Sequence, residues 1–263
     1  MRNQARVVGL RPYSKITPAG DFAYYACHDG TGTSLSAKSG SVLGDQTVGG
    51  TTTDIWSNTG WLTFNSAGTH INDTSDEAIA LGDLSSKSTG LLIACSLYIS
   101  ANPSASSEHI FSYGNTAATS NGWFAEIQSG GVAGKIRTRS ITAGGDTGGG
   151  STDTLTTGAI NTYLGYFDVA NGLIHAAING GTLDSTECTS WPTADDTGRG
   201  LGLGTKITAA STYSQQLNSQ SSGAQLQNVL ILAPSTDVIA DIQSMAEDVH
   251  LHPWELSRIF NGV

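Results

Sequence analysis

Apolar residues alternate strictly along one segment, and this pattern limits the possible folds more than any other part of the sequence. Every second residue of one segment is apolar: Leu91, Ile93, Cys95, Leu97 and Ile99. A period of two is typical of a β-strand, because successive side chains of an extended chain point to opposite faces. Similar short segments follow at the spacing of a sandwich or barrel: His109–Tyr113, Trp123–Gln128 and Lys135–Ile141.

The residues between these segments favour turns. Gly, Ser and Thr make up more than a third of the 263 residues, whereas charged residues make up only 13%. This composition argues against a helical bundle or coiled coil. The apolar content of 38% is enough for a core at this length. The sequence therefore predicts an all-β sandwich.

Two Asn-Gly pairs predict the tightest turns. Strands Tyr163–Val169 and Leu173–Ile178 flank Asn171-Gly172, and Asn179-Gly180 follows the second strand. Asn-Gly readily takes the positive φ angles that a hairpin turn requires. Asp146–Gly150 is predicted to be a flexible tip. Leu201–Lys206 is predicted to be a strand, and Gln227–Leu232 the last strand.

One convincing helix is predicted near the end of the chain, within a helical segment 235–260. Ser235 or Thr236 is expected to cap it. Its apolar stripe has helical spacing: Val238, Ile242, Met245 and Val249. Pro253 ends this helix, and Trp254–Phe260 is predicted as a second short one.

Charge is distributed unevenly along the chain. The net charge is −10, yet no acidic residue precedes Asp21. Residues 1–20 are therefore predicted to form a basic attachment arm, and 21–263 the sandwich domain. The arm's partner-binding candidates are Arg2, Arg6, Val8, Leu10, Arg11 and Lys15. The acidic remainder argues against nucleic acid and anionic membranes as partners, and no apolar run is long enough to span a bilayer.

Concentrated catalytic or metal-binding chemistry is missing from the sequence. Glycoside hydrolysis needs two carboxyl groups roughly 5–10 Å apart, but Glu126 and Asp168 each stand alone on their strands. No GxSxG motif occurs, and Gly198–Lys206 lacks the spacing of a phosphate loop. We therefore predict that the protein is not an enzyme.

No cofactor or structural metal is predicted. Cys27, Cys95 and Cys188 are odd in number and form no CxxC pair, and Cys95 fits a buried thiol. His250 and His252 alone are too few ligands for zinc. Calcium stays open, with Asp29, Asp195 and Asp196 as possible ligands that nothing distinguishes from solvated turns.

Aromatic residues leave sugar binding open. Trp56, Trp61, Trp123 and Trp191 are large rings that could stack on a sugar, but Trp61 has an apolar context typical of a core. The strand of Trp123 also carries Glu126. The residues predicted to bind carbohydrate are Trp123, Glu126 and Tyr113.

Several segments, taken in order, resemble a known family. They are Ala23–Gly40, Trp61–Asn65, Leu91–Ser100 and the hairpin from Tyr163 to Gly180. Together they resemble the laminin-G-like, concanavalin A-like domains. Asp237–Phe260, with His252-Pro253-Trp254-Glu255-Leu256, is similar to the tail of a subset found in bacteriophage virion proteins, although Asn is usual where this chain has His252. The resemblance implies a two-sheet antiparallel jelly roll with a short C-terminal helix.

The resemblance and the arm lead to the functional prediction. It is a non-enzymatic structural protein on the outer surface of a phage particle, assembled in the host cytoplasm. The protein would be a head decoration, head fibre or tail-associated component that contacts other virion proteins through its arm and forms a homo-oligomer. The alternative is a lectin-like module that binds a host surface glycan. A glycan hydrolase using Glu126 or Asp168 is the third hypothesis.

Overall fold

Antiparallel β-strands dominate the structure, a computed structural model. It describes residues 18–27, 32–37, 41–50, 56–57, 61–64, 70–114, 121–143, 145–151, 153–193, 199–209, 212–214, 217, 223–236 and 238–252. The elements of these residues are, in chain order, β1 (Pro18–Tyr25), β2 (Ser34–Leu35), β3 (Gln46–Thr47), β4 (Leu62–Thr63), β5 (Ile71–Asp73), α1 (Asp76–Gly82), β6 (Gly90–Tyr98), β7 (Glu108–Gly114), β8 (Gly122–Ile127), β9 (Ile136–Thr142), β10 (Gly145–Gly150), β11 (Ile160–Asp168), β12 (Leu173–Ile178), β13 (Asp184–Glu187), β14 (Leu201–Leu203), β15 (Lys206–Ala209), β16 (Thr212–Ser214), β17 (Gln225–Pro234) and α2 (Ile242–Leu251).

The strands form two main sheets. One has the order β1-β17-β6-β11-β12-β13, with β4 also paired to β17, and the other has the order β10-β9-β8-β7-β14-β5. Two short ribbons, β2–β3 and β15–β16, complete the pairing. The predicted fold class, an all-β two-sheet antiparallel sandwich with a short C-terminal helix, is confirmed.

The central strand β6 is apolar on both faces, and each face has a different neighbour. Leu91, Ile93 and Cys95 belong to the main core between the sheets, as the alternation predicts. Leu92 and Ala94 face outward and pack in a second cluster with residues of the C-terminal segment. Burial of each large side chain there stabilises the fold by roughly 1.5–3 kcal/mol. The helix α2 therefore covers the outer face of the seven-stranded sheet.

The predicted start of this helix is five or six residues too early. Asp241, not Ser235 or Thr236, occupies the N-cap position, and α2 begins at Ile242. A turn comes first, closed by the Asp241 N–H, which donates to the Val238 carbonyl at 2.9 Å. Val238 still packs in the second cluster. Its apolar character is therefore explained by burial, although it lies in a turn and not in the helix. The predicted helix Trp254–Phe260 lies outside the described residues.

The two Asn-Gly turns are found where the sequence predicts them. β11 and β12 pair from Tyr163 opposite Ile178 to Asp168 opposite Leu173. Gly172 has a φ of 69°, the positive value that the hairpin requires. Asn179 also has a positive φ, 53°.

Two other segments differ from the prediction. Asp146–Gly150 is not a flexible tip but lies within β10, which pairs along its whole length with β9. Leu201–Lys206 is not one strand, because the chain turns at Gly204 between β14 and β15. A side chain at Gly204 would meet the ring of Phe64 at 2.0 Å, so the turn brings the backbone against the core.

The predicted arm can be followed only at its end. Residues 1–17 lie outside the described residues, and with them every arm residue predicted to bind a partner. β1 begins at Pro18, inside the predicted segment 1–20. No helix in the described part of the chain is long and apolar enough to cross a membrane.

Candidate functional site

A row of polar side chains crosses the outer face of the six-stranded sheet. Ala125 and Ile127 of β8 point into the core, so Glu126 between them points outward. Glu126 is paired with Arg137 of β9 on one side and His109 of β7 on the other. These residues, with their neighbours on the same face, form what we call the arginine cluster: His109, Phe124, Glu126, Arg137, Arg139, Asp146 and Lys206.

The buried carboxylate of Glu126 binds the guanidinium of Arg137. Its side chain is only 3% exposed, whereas that of Arg137 is 33% exposed. Arg137 Nε donates to Glu126 Oε1 at 2.7 Å, and Nη2 donates to the same oxygen. Each of these hydrogen bonds joins a charged donor to a charged acceptor, so each is stronger than a hydrogen bond between neutral groups. The guanidinium is thus fixed in orientation while one of its edges faces solvent.

Arg139 is held in the same manner one row further along the sheet. Its Nε donates to Asp146 Oδ1 of β10 at 2.8 Å, and its Nη2 contacts the other oxygen of that carboxylate. Its Cζ also lies 5.1 Å from the centre of the Phe124 ring, within the range of a cation–π contact. The side chain of Arg139 is 20% exposed.

The strand β10 has a glycine opposite each of the two arginines. Gly148 is paired with Arg139, and Gly150 with Arg137. A Cβ at Gly148 would come within 2.5 Å of Arg139 Cγ, whereas one at Gly150 would make only ordinary contact with Gln128 Oε1 at 3.4 Å. The Arg139 side chain therefore lies directly against the backbone of Gly148, and no side chain at position 150 covers Arg137.

The ribbon β15–β16 borders the cluster on the opposite side. Ser112 Oγ of β7 donates to the Thr205 carbonyl at 2.7 Å, which ties the start of the ribbon to the sheet. Lys206 follows, half-buried and close enough to Glu126 for their charges to interact. Three cations and two carboxylates give the cluster one excess positive charge in a chain whose net charge is −10.

Burial and neighbouring charges shift the pKa values of this cluster. Burial acts to raise the pKa of Glu126, but His109 and Arg137 outweigh it, and the pKa lies below its usual value. Burial lowers the pKa of His109 below its ordinary 6.5, against the opposing effect of Glu126. Glu126 is therefore ionised and His109 neutral at neutral pH.

Two of the three residues predicted to bind carbohydrate are in the core. Trp123 and Tyr113 are 0% exposed, and their rings stack 5.9 Å apart. Trp123 Nε1 donates to the Gly82 carbonyl and Tyr113 Oη to the Ile79 carbonyl, so the polar atoms of both rings are satisfied inside the protein. The expectation that these rings stack on a sugar is corrected by their burial, because no sugar can reach them. Glu126 alone lies in the arginine cluster.

Sequence reasoning missed the two arginines that define the site. The signal was present as Arg137 and Arg139 at alternate positions of a predicted strand, which places both on one face. His109 was noticed only as part of a strand. Its distance to Glu126 depends on which strands become neighbours, and local sequence does not specify this.

Asp168 lies in the other sheet. It is 0% exposed on β11, paired with Leu173 of β12. It accepts hydrogen bonds from the Asn171 backbone N–H at 3.0 Å and the Asn171 side chain, and His175 Nε2 lies 3.5 Å away. Tyr166, two residues earlier, packs in the outer cluster with α2, so Asp168 belongs to the outer face of that sheet. Glu126 and Asp168 thus lie on opposite outer faces of the sandwich.

The candidate metal ligands are not brought together in the described part of the chain. No group of three or more His, Cys, Asp or Glu side chains there could hold a metal ion. His250 lies 3.4 Å through Nδ1 from Thr162 Oγ1, and His252 is the C-cap of α2. Asp29, Asp195 and Asp196 lie outside the described residues, so calcium binding through them stays a prediction.

The solved structures that share this fold include the following three. The CBM40 of Ruminococcus gnavus IT-sialidase, bound to α2,3-sialyllactose, is 13% identical with a TM-score of 0.53, covering 71% of this chain and 95% of its own. A Trypanosoma rangeli sialidase is 11% identical with a TM-score of 0.56, covering 90% of this chain. The binding domain of botulinum neurotoxin serotype D is 12% identical with a TM-score of 0.55, also covering 90% of this chain.

The chain spans 34% of the sialidase and 52% of the neurotoxin chain. No protein-family model matches it, and no curated protein sequence matches it. At these identities the similarity establishes the fold alone, which is a two-sheet β-sandwich. None of the three structures is a virion protein, so attachment to a phage particle through the arm stays a prediction.

Proposed function

We propose that this protein is a non-catalytic glycan-binding module, and that its ligand is a glycan bearing a carboxylate. The observation that carries this proposal is the pair Arg137 and Arg139, held on one outer face of the six-stranded sheet. The fold is shared with a domain whose structure contains α2,3-sialyllactose, an acidic trisaccharide. This is the lectin-like alternative of the sequence analysis.

Arg137 keeps its Nη1 group for a ligand, whereas Nη1 of Arg139 also lies 3.9 Å from Glu126 Oε1. Both arginines use Nε and Nη2 on their own carboxylates, Glu126 and Asp146. Within the described residues, no hydrogen bond engages Nη1 of either side chain. A planar guanidinium recognises a carboxylate through directed N–H donors, and fixing its orientation in advance lowers the entropic cost of binding.

Electrostatics selects this face for an anion. The net charge of the chain is −10, which as a whole repels a carboxylate, whereas the arginine cluster carries an excess positive charge. Gly150, which is paired with Arg137, has no side chain to cover that guanidinium on the β10 side. The positive charge of the arginine cluster and the absence of a side chain at Gly150 therefore both favour this face as the binding site for an anionic glycan.

The same cluster is unsuited to glycoside hydrolysis. A general acid needs a raised pKa to hold its proton, but the pKa of Glu126 is lowered. Asp168 lies on the opposite face of the sandwich and supplies no second carboxylate. Binding without turnover is therefore the function that we assign.

Calorimetric titration of the full chain with α2,3-sialyllactose tests the proposal, with neutral lactose as the comparison ligand. We expect binding of the acidic sugar only, and a loss of affinity of about tenfold or more in Arg137→Gln and in Arg139→Gln. Lys87→Gln, which removes a positive charge outside the cluster, should bind like the wild type. Equal affinity for lactose, or wild-type affinity in both arginine variants, would overturn the proposal.

A further inference from the structure

His109 is buried between the supports of both arginines. Its side chain is 1% exposed, and its Nε2 lies 3.4 Å from Glu126 Oε2, the oxygen that Arg137 does not use. Its ring also packs on Phe124 with a centroid distance of 4.3 Å, and Arg139 lies against the same Phe124 ring. One imidazole thus contacts the group that holds Arg137 and the group that supports Arg139.

The hydrogen-bonding capacity of His109 is not used up. The 3.4 Å distance to Glu126 is longer than a normal hydrogen bond. No described residue accepts from or donates to Nδ1, although this nitrogen is buried. An unpaired polar atom in such a place costs free energy, so structures retain few of them without a functional reason.

The charged groups around His109 come from four other strands. Glu126 of β8 favours the protonated ring, whereas Arg139 of β9 and Lys206 of β15 oppose it. Arg137 shares the Glu126 carboxylate, and Asp146 of β10 neutralises Arg139. The balance is one excess positive charge when His109 is neutral and two when it is protonated.

We propose that His109 is a positioning residue of the glycan site and that its protonation strengthens binding of an anionic glycan. This inference rests on the proposed function and adds a regulation to it. A protonated His109 draws the Glu126 carboxylate through Oε2 and weakens its hold on Arg137. The guanidinium then offers more of its charge to the ligand.

Linkage makes the effect reciprocal. If protonation strengthens ligand binding, the bound anion must raise the pKa of His109 by the corresponding amount. Binding in mildly acidic solution is then accompanied by net uptake of protons. A residue with a purely structural role would show neither change.

The experiment measures affinity for α2,3-sialyllactose between about pH 5 and about pH 7.5, a range that extends below the ordinary histidine pKa of 6.5 because the pKa of His109 is lowered by burial. We expect the wild type to bind about fivefold more tightly at the lower pH. Acidification also lowers the negative charge of the whole protein, so His109→Gln supplies the reference, and its ratio should fall below about twofold. His175→Gln replaces a buried histidine of the other sheet and should keep the wild-type ratio.

Titration of the His109 ring by NMR, with and without the sugar, does not depend on any variant folding. We expect its pKa to rise in the complex. Binding with the same pH ratio in wild type and His109→Gln, or an unchanged pKa in the complex, would overturn this inference and leave the proposed function intact. Absence of binding at every pH would overturn both.

Discussion

Glu126 and Arg137 face each other across β8 and β9, and one carboxylate oxygen, Oε1, accepts hydrogen bonds from both Nε and Nη2 of the guanidinium. The second oxygen is left for His109. Glu126 is buried, whereas a third of the Arg137 side chain is exposed, so the ion pair connects a buried carboxylate to a guanidinium at the protein surface. The consequences for stability and binding can be measured.

Removing the charge of Glu126 should destabilise the fold. Breaking a buried ion pair costs about 3–5 kcal/mol, and the partial exposure of Arg137 screens the remaining charge. We therefore expect Glu126→Gln to lower the free energy of unfolding by about 1–3 kcal/mol in urea titration. Glu187→Gln, on an exposed position of β13, is the control and should stay within about 0.5 kcal/mol of the wild type. An unchanged midpoint for Glu126→Gln would contradict the ion pair.

Stability should fall as the solution becomes acidic, in two intervals. Since the pKa of His109 is lowered in the folded state, the unfolded chain binds more protons below its ordinary value of 6.5, and stability declines there as pH falls. The pKa of Glu126 is also lowered, so its contribution is lost further down, below its ordinary 4.5.

The slope of stability against pH below the ordinary histidine pKa shows whether His109 causes the first decline. One proton changes stability by at most about 1.4 kcal/mol per pH unit. Urea titrations at a series of pH values should show a shallower slope between about pH 6.5 and pH 4.5 in His109→Gln than in the wild type. Parallel curves would mean that His109 does not carry this dependence.

Gly148 should matter for binding more than Gly150, although both lie on the same face of β10. A Cβ at Gly148 would push against Arg139 Cγ at 2.5 Å, whereas one at Gly150 meets nothing closer than 3.4 Å. We expect Gly148→Ala to weaken binding of α2,3-sialyllactose by about tenfold, since a small displacement of a recognising group is costly, and Gly150→Ala to change it by less than about twofold. Equal effects would show that the position of Arg139 does not determine affinity.

The Asn171-Gly172 turn gives a prediction about stability alone. Gly172 has a φ of 69°, which strains any β-branched residue. Gly172→Val should therefore lower the free energy of unfolding by about 1–3 kcal/mol. Circular dichroism melting measures this change, and binding by the folded variant should remain, because the turn belongs to the other sheet. A wild-type melting temperature would contradict the backbone conformation of the turn.

Local patterns in the sequence predicted the elements of the fold well. The alternation around Cys95 gave β6, and Asn171-Gly172 gave the β11–β12 turn, because both signals depend on neighbours in the chain. The start of α2 was misplaced because Val238 has the spacing of a helical stripe but is buried from a turn. The pairing of Gly145–Gly150 with β9 was missed because backbone hydrogen bonds, not side chains, hold that strand.

The candidate site shows the same difference between local sequence signals and long-range contacts. Local sequence is enough to show that Glu126 alternates with Ala125 and Ile127, and that Arg137 and Arg139 share a face. The three-dimensional packing makes β7, β8 and β9 neighbours, which brings His109, Glu126 and Arg137 into one row, and it turns Trp123 toward the core. The physical reason is that alternation separates two faces of a strand, whereas strand order and the covering of each face depend on contacts between residues far apart in the chain.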